Sequence, residues 1–340
     1  MMKIGLLAVA LAFGQAHPVE EPVRFRVAAS GDFLIHTPVA ARARALGGGS
    51  RYDFAPMFDP VKRHIEGADL ALCHVETPLV PGPPTGYPVF RTPVGLAGAI
   101  KRVGWDSCST ASNHSLDVGE YGIRTTLRAL DRNRILHHGT ARSPAERRRA
   151  AVADVKGLKV AFLAYTAISN GQVVPNPWNL NWASAGRIVA DAKRAKRQGA
   201  DAVIVNLHWG NEYQHAISPL QLSLARSLTR SPAVTAIVGQ HAHVVQPIRR
   251  INGKPVVFGE GNLVSNQTAA CCPAASQDGL IALIDFVAWP GAPVKATRIR
   301  YVPTYVSHPD YSVQPAAPGS GSWNRTVSVA GRRPGIRPLR

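Results

Sequence analysis

Side chains able to bind metal ions follow five apolar runs in this chain of 340 residues. They lie in the segments GDFLIH (31–36), HVE (74–76), SNHSLD (112–117), NLHWGNEY (206–213) and GQHAHVVQP (239–247). Each segment alone can be explained as a turn or a strand end with a satisfied histidine. Together they need a common partner, because buried polar groups are costly when unpaired. Since ligands bind at the carboxyl ends of strands in open α/β sheets, the pattern predicts one shared metal site.

The ligand types indicate which ions such a site would hold. The set contains carboxylates, one amide and imidazoles, with no thiolate: Asp32, Glu76, Asn113, His36, His208, His241 and His243. This is too many ligands for one ion, and two-metal hydrolases hold their ions about 3.5–4 Å apart. We therefore expect two divalent cations, with Mn, Fe or Zn favoured over Ca or Mg because of the imidazoles.

The elements that must position these residues alternate between strands and helices. RFRVAAS (24–30), ADLALCHVE (68–76), KVAFLAYT (159–166) and DAVIVNLHW (201–209) read as strands, with helical periodicity between them. The segment 247–257 reads as a hairpin closed by Asn252-Gly253. These patterns predict an α/β layered fold with a mixed sheet or with two packed sheets.

The two ends of the chain differ from the centre in composition. Residues 1–22 carry one lysine, an apolar stretch and the small-x-small pattern Gly14-Gln15-Ala16, which predicts a secretory signal. The protein is then expected to be secreted or associated with the cell envelope. One alternative is that the segment remains as an uncleaved anchor. The other is that it is not a signal, in which case the protein is cytoplasmic. Residues 23–310 form the predicted domain, and no further apolar run has the length of a membrane span. Residues 311–340, rich in Pro, Gly, Ser and Arg, are predicted to be a disordered basic tail.

Cysteines and charge limit the function classes. Cys73, Cys108, Cys271 and Cys272 lack the C-x-x-C spacing of a structural zinc site. We expect Cys73 and Cys108 to be buried free thiols, whereas Cys271 or Cys272 can form a disulfide if the protein is exported. The net charge of +18 favours an anionic polymer, phosphate or surface as partner, although arginine-rich blocks on outer faces explain it equally well. No nucleic-acid module is recognisable, so no nucleic-acid partner is expected.

The ordered motifs resemble a known family. GDFLIH, ADLALCHVETPL, ASNHSLDVGEYGIRTTLRAL, LHWGNEY, GQHAHVVQP and GEGN are similar to those of CapA-type proteins of bacterial capsule (poly-γ-glutamate) synthesis, within the calcineurin-like metallophosphoesterase superfamily. The resemblance covers residues 24–306. It implies a four-layer α-β-β-α sandwich of the metallophosphoesterase type, with the metals at one sheet edge.

The resemblance also implies roles for individual residues. The first metal would be held by Asp32, His36, Glu76 and His243, and the second by Asn113, His208 and His241 with Glu76 bridging. His114 would protonate a leaving group or stabilise the transition state, with Asp117 orienting it.

Two positions depart from the superfamily pattern. Three further residues are predicted to bind the substrate. The superfamily usually has a bridging aspartate at the position of Glu76. CapA-type relatives have glutamate there, as this chain does. His74 stands where asparagine is expected; we assign it to support of Glu76, although a satisfied strand-end histidine is an equal alternative. Glu212, Tyr213 and Trp178 are assigned to a substrate cleft.

Three functions follow from this interpretation. The first is a metal-dependent hydrolase that acts on a phosphate ester or on an anionic polymer or glutamyl-type peptide, in capsule or cell-envelope metabolism. The second is a non-hydrolytic accessory protein of poly-γ-glutamate synthesis or export, which would meet the capsule-synthesis machinery. The third is a metal-dependent acid/base enzyme such as a peptide epimerase.

Overall fold

Residues 21–339 are described in a computed structural model and form two β-sheets with helices on their outer faces. The strands are β1 (Val23–Phe33), β2 (Leu70–Val75), β3 (Ser107–Ser109), β4 (Leu136–His138), β5 (Ala151–Val155), β6 (Leu158–Thr166), β7 (Ala202–His208), β8 (Ala236–Gln240), β9 (Ile248–Ile251), β10 (Lys254–Val257), β11 (Asn262–Val264), β12 (Asp278–Ala288), β13 (Lys295–Val306), β14 (Val313–Pro315) and β15 (Ile336–Pro338).

The helices are α1 (Thr37–Leu46), α2 (Asp59–Glu66), α3 (Gly95–Val103), α4 (Gly119–Arg132), α5 (Pro144–Arg147), α6 (Ala185–Arg197), α7 (Pro219–Arg230) and α8 (Gly321–Ala330), with 3-10 turns at Ala55–Phe58 and Ala274–Gln277. None of the helices within residues 21–339 is both long enough and apolar enough to cross a membrane.

The first sheet has the order β14-β13-β12-β1-β2-β3-β4, with β11 beside β1 and β15 beside β13. The second has the order β5-β6-β7-β8-β10-β9. Strands β1 to β4 are mutually parallel, as are β6, β7, β8 and β10. Each sheet therefore has a central parallel section whose carboxyl ends are available to form a site.

Alternating side chains bury both faces of each sheet. On β7, Ala202 and Ile204 pack with residues of β1 between the sheets, whereas Val203 and Leu207 pack with residues of α6 and α7. This alternation follows from the two-residue repeat of a strand. The outer face of the first sheet packs in the same way with α1, α2 and α3. The predicted four-layer α-β-β-α sandwich is confirmed.

The predicted hairpin is also present. β9 and β10 pair in antiparallel register, and the turn residues Asn252 and Gly253 have φ values of 49° and 77°. Positive φ at both central positions is the geometry that Asn-Gly favours.

The prediction for the carboxyl-terminal segment was wrong. Between residues 311 and 339 the chain forms β14, α8 and β15, and β15 pairs in parallel with β13. Trp323, Ala330 and Ile336 are buried. The average composition of the segment is polar, but these few apolar residues suffice to bind it to the first sheet. The predicted leader, except for its last two residues, lies outside the described residues.

The prediction for two cysteines was also wrong. Cys73 of β2 and Cys108 of β3 form a disulfide, with their Cα atoms 4.5 Å apart. The two residues are direct neighbours in the register of adjacent parallel strands. Reading each strand separately identifies buried cysteines but not this pairing.

Candidate metal centre

The predicted ligands converge where parallel strands of both sheets end. Asp32 lies on β1, Glu76 follows β2, and His208 ends β7. The backbone N–H of His241, directly after β8, lies 3.3 and 3.4 Å from the two carboxylate oxygens of Asp32. This contact joins the second sheet to the first. The predicted ligands Asp32, Glu76, Asn113, His208, His241 and His243 are all buried.

Three groups of side chains bring their possible ligand atoms within 4.8 Å of one another. The groups are Asp32, Glu76 and His243; Asp32, His74 and His208; and Glu212, His241 and His243. Asp32, rather than Glu76, is the carboxylate that two of these groups share. Asp32 is therefore the carboxylate that lies close to possible ligand atoms of both groups.

His74 lies within the ligand cluster itself, not behind it as we expected. Its Nδ1 contacts the hydroxyl of Ser109 at 3.0 Å, which directs Nε2 to within 3.8 Å of an Asp32 carboxylate oxygen. His74 and Asp32 are register partners on β2 and β1. His74 and Glu76 are two residues apart on an extended chain, so their side chains lie on the same side. Both side chains therefore reach the cluster.

The side chains of His36 and Asn113, both predicted to be metal ligands, contact other residues of the protein. His36 is outside the three groups; its Nδ1 accepts a hydrogen bond from the N–H of Asn266 at 3.2 Å. The side-chain oxygen of Asn113 lies 2.8 Å from Nε2 of His208, so these two predicted ligands of the second metal contact each other directly.

Among residues 21–339, several buried polar atoms in the cluster have no hydrogen-bond partner. They are Nε2 of His74, both carboxylate oxygens of Glu76, Nδ1 of His208 and Nδ1 of His241. Burial of so many unpaired lone pairs and charges is costly in the absence of a compensating group. Divalent cations would supply that partner, and the mixed oxygen and nitrogen donors suit Mn, Fe or Zn. The residues present therefore fit a metal centre.

Protonation of the imidazoles agrees with metal binding. Burial lowers the pKa of His36 and His74 to about 4 and that of His241 to about 3. Burial, followed by the charge of His241, also lowers the pKa of His208 well below its usual value. These rings are neutral at pH 7 and keep a lone pair for a cation.

His243 behaves differently from the other histidines. Burial alone would lower its pKa, but Glu76 and Asp32 outweigh burial and raise the pKa of His243 to about 10. Its Nε2 lies 3.7 Å from a Glu76 oxygen and its Nδ1 lies 3.3 Å from an Asp32 oxygen. Two carboxylates thus hold a proton on this ring, and a bound cation would replace that charge.

His114 and Asp117 form a close pair beside the cluster. Nδ1 of His114 lies 2.8 Å from Oδ2 of Asp117, the contact on which the predicted acid/base role depends. The backbone N–H of Phe90 donates to the same carboxylate at 2.7 Å, and the amide of Gln172 donates to its other oxygen at 3.0 Å. The carboxylate of Asp117 is therefore held in place on both of its oxygens.

Sequence reasoning missed two contributors to the site. The side-chain oxygen of Asn262 on β11 lies 2.9 Å from Nδ1 of His243. Phe90 packs with its ring centroid 5.3 Å from that of His36 and 4.7 Å from that of His114. The motif GEGN contains Asn262 but gave no indication of its role, and no sequence signal pointed to Phe90.

The backbone at the His-x-His pair is not extended, although the pair directly follows strand β8. His241 and His243 have φ values of 92° and 54°, in the left-handed region. Their ring centroids are 6.0 Å apart. Strained residues of this kind cost about 1–3 kcal/mol each and cluster at functional sites.

The predicted substrate residues fall into two sets. Glu212 is exposed and belongs to a ligand group, and the Tyr213 ring centroid lies 6.1 Å from that of His243. Within residues 21–339 no hydrogen bond or ring contact joins Trp178 to the cluster, and its indole nitrogen is buried without a partner.

The model of a family described as "Bacterial capsule synthesis protein PGA_cap" matches residues 26–267. The capsule biosynthesis protein CapA of Bacillus anthracis is 27% identical over 229 residues, which are 64% of this chain and 56% of that protein. The PGA biosynthesis protein CapA of Bacillus subtilis is 29% identical over 171 residues, 49% of this chain and 44% of that protein.

A probable polyglutamine synthesis accessory protein of Mycobacterium tuberculosis is 30% identical over 173 residues, 47% of this chain and 45% of that protein. The chain thus spans about half the length of the curated relatives it matches.

Two solved structures share the fold. A phosphatase from Mycoplasma pneumoniae matches with a TM-score of 0.50 and 12% identity, over 86% of this chain and 97% of that chain. The calcineurin-like phosphoesterase YfkN from Bacillus subtilis matches with a TM-score of 0.50 and 16% identity, over 82% of this chain and 91% of that chain. At these identities the likeness establishes the architecture alone.

Proposed function

This chain belongs to the bacterial capsule synthesis family PGA_cap, whose model covers residues 26–267. We propose that it is a metal-dependent hydrolase of capsule or cell-envelope metabolism. The substrate is a phosphate ester or a glutamyl-type bond of an anionic polymer or peptide. One observation carries the proposal: the unpaired buried donor atoms of Glu76, His74, His208 and His241 lie together at the strand ends.

The cluster has enough donors for two divalent ions. Asp32, His74, Glu76, Asn113, His208, His241 and His243 would hold them. Cations bound there would polarise the scissile group and lower the pKa of water. Manganese, iron or zinc fits the mixed oxygen and nitrogen donors.

The protein's own acid/base group is His114. Asp117 accepts a hydrogen bond from Nδ1 of His114 at 2.8 Å, which orients the ring. Nε2 of the imidazolium is then the atom that gives a proton to the leaving group. Phe90, in edge contact with the His114 ring, limits the positions that the ring can take.

Charge and redox state support the choice of substrate and compartment. A net charge of +18 attracts anionic polymers and phosphates and raises their local concentration. The disulfide between Cys73 and Cys108 suits an oxidising compartment, so we place the protein outside the cytoplasm. The partners proposed are the anionic substrate and the capsule-synthesis machinery of the envelope, not nucleic acid.

The deciding experiment combines metal analysis with two substrates. The purified protein is stripped with a chelator, reloaded with Mn²⁺, Fe²⁺ or Zn²⁺, and assayed with an aryl phosphate and with poly-γ-glutamate of defined length. We expect metal-dependent cleavage of at least one substrate, lost with metal in Asp32→Asn. His114→Gln should lose cleavage while it keeps its metal. A protein that binds metal but cleaves neither substrate under any loading would contradict the proposal.

A non-hydrolytic role is the second candidate, since one relative is described as a probable polyglutamine synthesis accessory protein. That role predicts salt-dependent co-sedimentation with poly-γ-glutamate that does not require His114. Solvent deuterium incorporated into a peptide without cleavage would instead indicate an epimerase.

A further inference from the structure

Two adjacent thiols lie in the loop that follows β11. Cys271 is exposed and Cys272 is partly exposed, and neither is in a disulfide. Their sulfur atoms are 2.6 Å apart. A covalent S–S bond measures about 2.05 Å, so a small movement would join them.

The backbone holds the pair in this position. The carbonyl oxygen of Thr268 accepts hydrogen bonds from the N–H of Cys271 at 3.0 Å and from the N–H of Cys272 at 2.9 Å. Both amides are thus bound to one acceptor, and the turn keeps the two side chains side by side.

A chain of neighbouring side chains leads from this pair to the metal centre. Cys272 lies beside Tyr213, whose hydroxyl accepts a hydrogen bond from the Gln267 amide at 3.0 Å. The Gln267 oxygen accepts one from the Asn262 amide at 2.8 Å. The Asn262 oxygen in turn lies 2.9 Å from Nδ1 of His243. A change at the thiols therefore reaches a proposed metal ligand through three side chains.

We propose that Cys271 and Cys272 form a redox-modification site, a reversible vicinal disulfide on the wall of the metal centre that alters the centre's affinity for its cation. The effect on affinity rests on the proposed metal function; the formation of the disulfide does not.

The oxidant is a low-molecular-weight disulfide. The thiolate of Cys271 attacks one sulfur of the oxidant, which forms a mixed disulfide and releases one thiol. The sulfur of Cys272 then attacks Cys271, forms the vicinal bond and releases the second thiol. Two cysteine thiols lose two protons and two electrons, and the oxidant takes them up as two thiols.

Exposure decides which sulfur reacts first. Burial and the neighbouring Cys271 raise the pKa of Cys272 to about 11, which keeps this thiol protonated. Cys271 faces solvent and is open to the oxidant. In the disulfide, the Cys272 sulfur is bonded to Cys271, so its position beside Tyr213, the first link of the chain to His243, changes.

The test is made on the full chain incubated in oxidised and reduced glutathione, followed by alkylation and mass analysis. The peptide with both cysteines should lose two hydrogens and carry no glutathione. Cys272→Ser should instead carry glutathione on Cys271. A wild-type peptide that keeps free thiols or carries glutathione, under conditions that modify Cys272→Ser, would overturn the proposal.

Mn²⁺ affinity tests the coupling, because this ion has little preference for thiols. Competition with a chromophoric chelator should give a Kd that differs several-fold between oxidised and reduced wild type, and no difference in the Cys271→Ser/Cys272→Ser double variant. Equal Kd values for a disulfide proven by mass would overturn the coupling. Failure of Mn²⁺ to bind any form contradicts the metal function, whereas the mass result still decides whether the disulfide forms.

Discussion

Nδ1 of His243 and the side-chain oxygen of Asn262 lie 2.9 Å apart, which ties the His-x-His loop after β8 to β11 of the other sheet. Asn262 is also the register partner of Asp32 on β1. One asparagine thus orients an imidazole toward the cluster from beside the central carboxylate. Hydrogen bonds of this kind set the ring orientation of metal-binding histidines.

Replacement of Asn262 by alanine should weaken metal binding. Without its hydrogen bond, His243 can rotate, and loss of such partners costs about 10–100-fold in metal affinity. Competition with a chelator gives the Kd directly. Asn324→Ala, on the exposed face of α8, is the matched control and should keep the wild-type Kd. An unchanged Kd in Asn262→Ala would show that the contact does not position the ligand.

Loss of His114 should separate catalysis from metal binding. His114→Gln removes the proton donor, and general acid catalysis contributes about 10²–10⁴-fold to turnover. Metal content should stay at the wild-type level. Asp117→Asn should lower kcat less, because His114 keeps its ring but loses the carboxylate that orients it. His64→Gln, on the outer helix α2, serves as the control; full activity in His114→Gln would remove this residue from the mechanism.

The disulfide should contribute measurably to stability. It closes a sequence separation of 35 residues, for which the reduced chain entropy of the unfolded state predicts a stabilisation of about 4 kcal/mol. The Cys73→Ala/Cys108→Ala double variant should therefore show a lower urea midpoint. Cys271→Ser/Cys272→Ser provides the control, since these residues lie in a surface loop. Equal midpoints for both double variants would argue against a stabilising disulfide.

Stability should fall as the pH decreases from neutral. His138 on β4 is buried, its Nδ1 accepts the N–H of Ala164 at 2.7 Å, and burial followed by the charge of Arg147 lowers its pKa to about 4. Below pH 6.5 this histidine is protonated in the unfolded chain, whereas in the folded protein it stays neutral down to about pH 4. This residue should thus reduce the free energy of unfolding by about 2 kcal/mol between pH 7 and pH 5.

The measurement is urea unfolding at both pH values in a chelator, for wild type and for His138→Gln. The variant should lose less stability between the two pH values, whatever its absolute stability. The same pH dependence in both proteins would contradict the assignment to His138, since the other buried histidines are common to both.

The carboxyl-terminal helix should contribute to the core. Trp323 on α8 is 6% exposed, and replacement of a buried tryptophan by alanine costs about 3–5 kcal/mol. Trp289 is 49% exposed, so Trp289→Ala should change stability by no more than about 0.5 kcal/mol. Thermal or urea unfolding compares the two variants. Similar small effects would mean that α8 is not packed in solution.

The sequence by itself determined the layered architecture and the edge that carries the site. Apolar runs that alternate with helical segments identify parallel strands, and the polar residues after each run must meet because parallel strands end at one edge. The Asn252-Gly253 turn is local, and its conformation follows from those two residues. The ordered motifs identified the family before any contact was known.

Only the tertiary structure decided how distant segments pair. The disulfide depends on the register of β2 against β3. The position of His74 depends on the register of β2 against β1, and the role of Asn262 depends on β11 lying beside Asp32. His241 and His243 reach the cluster from a left-handed backbone and contact Asp32 and Asn262 of the other sheet. Composition describes residues 311–339 as polar, yet a few side chains bury the segment. Such features arise from contacts between residues far apart in the chain, and periodicity and local propensity carry no information about those contacts.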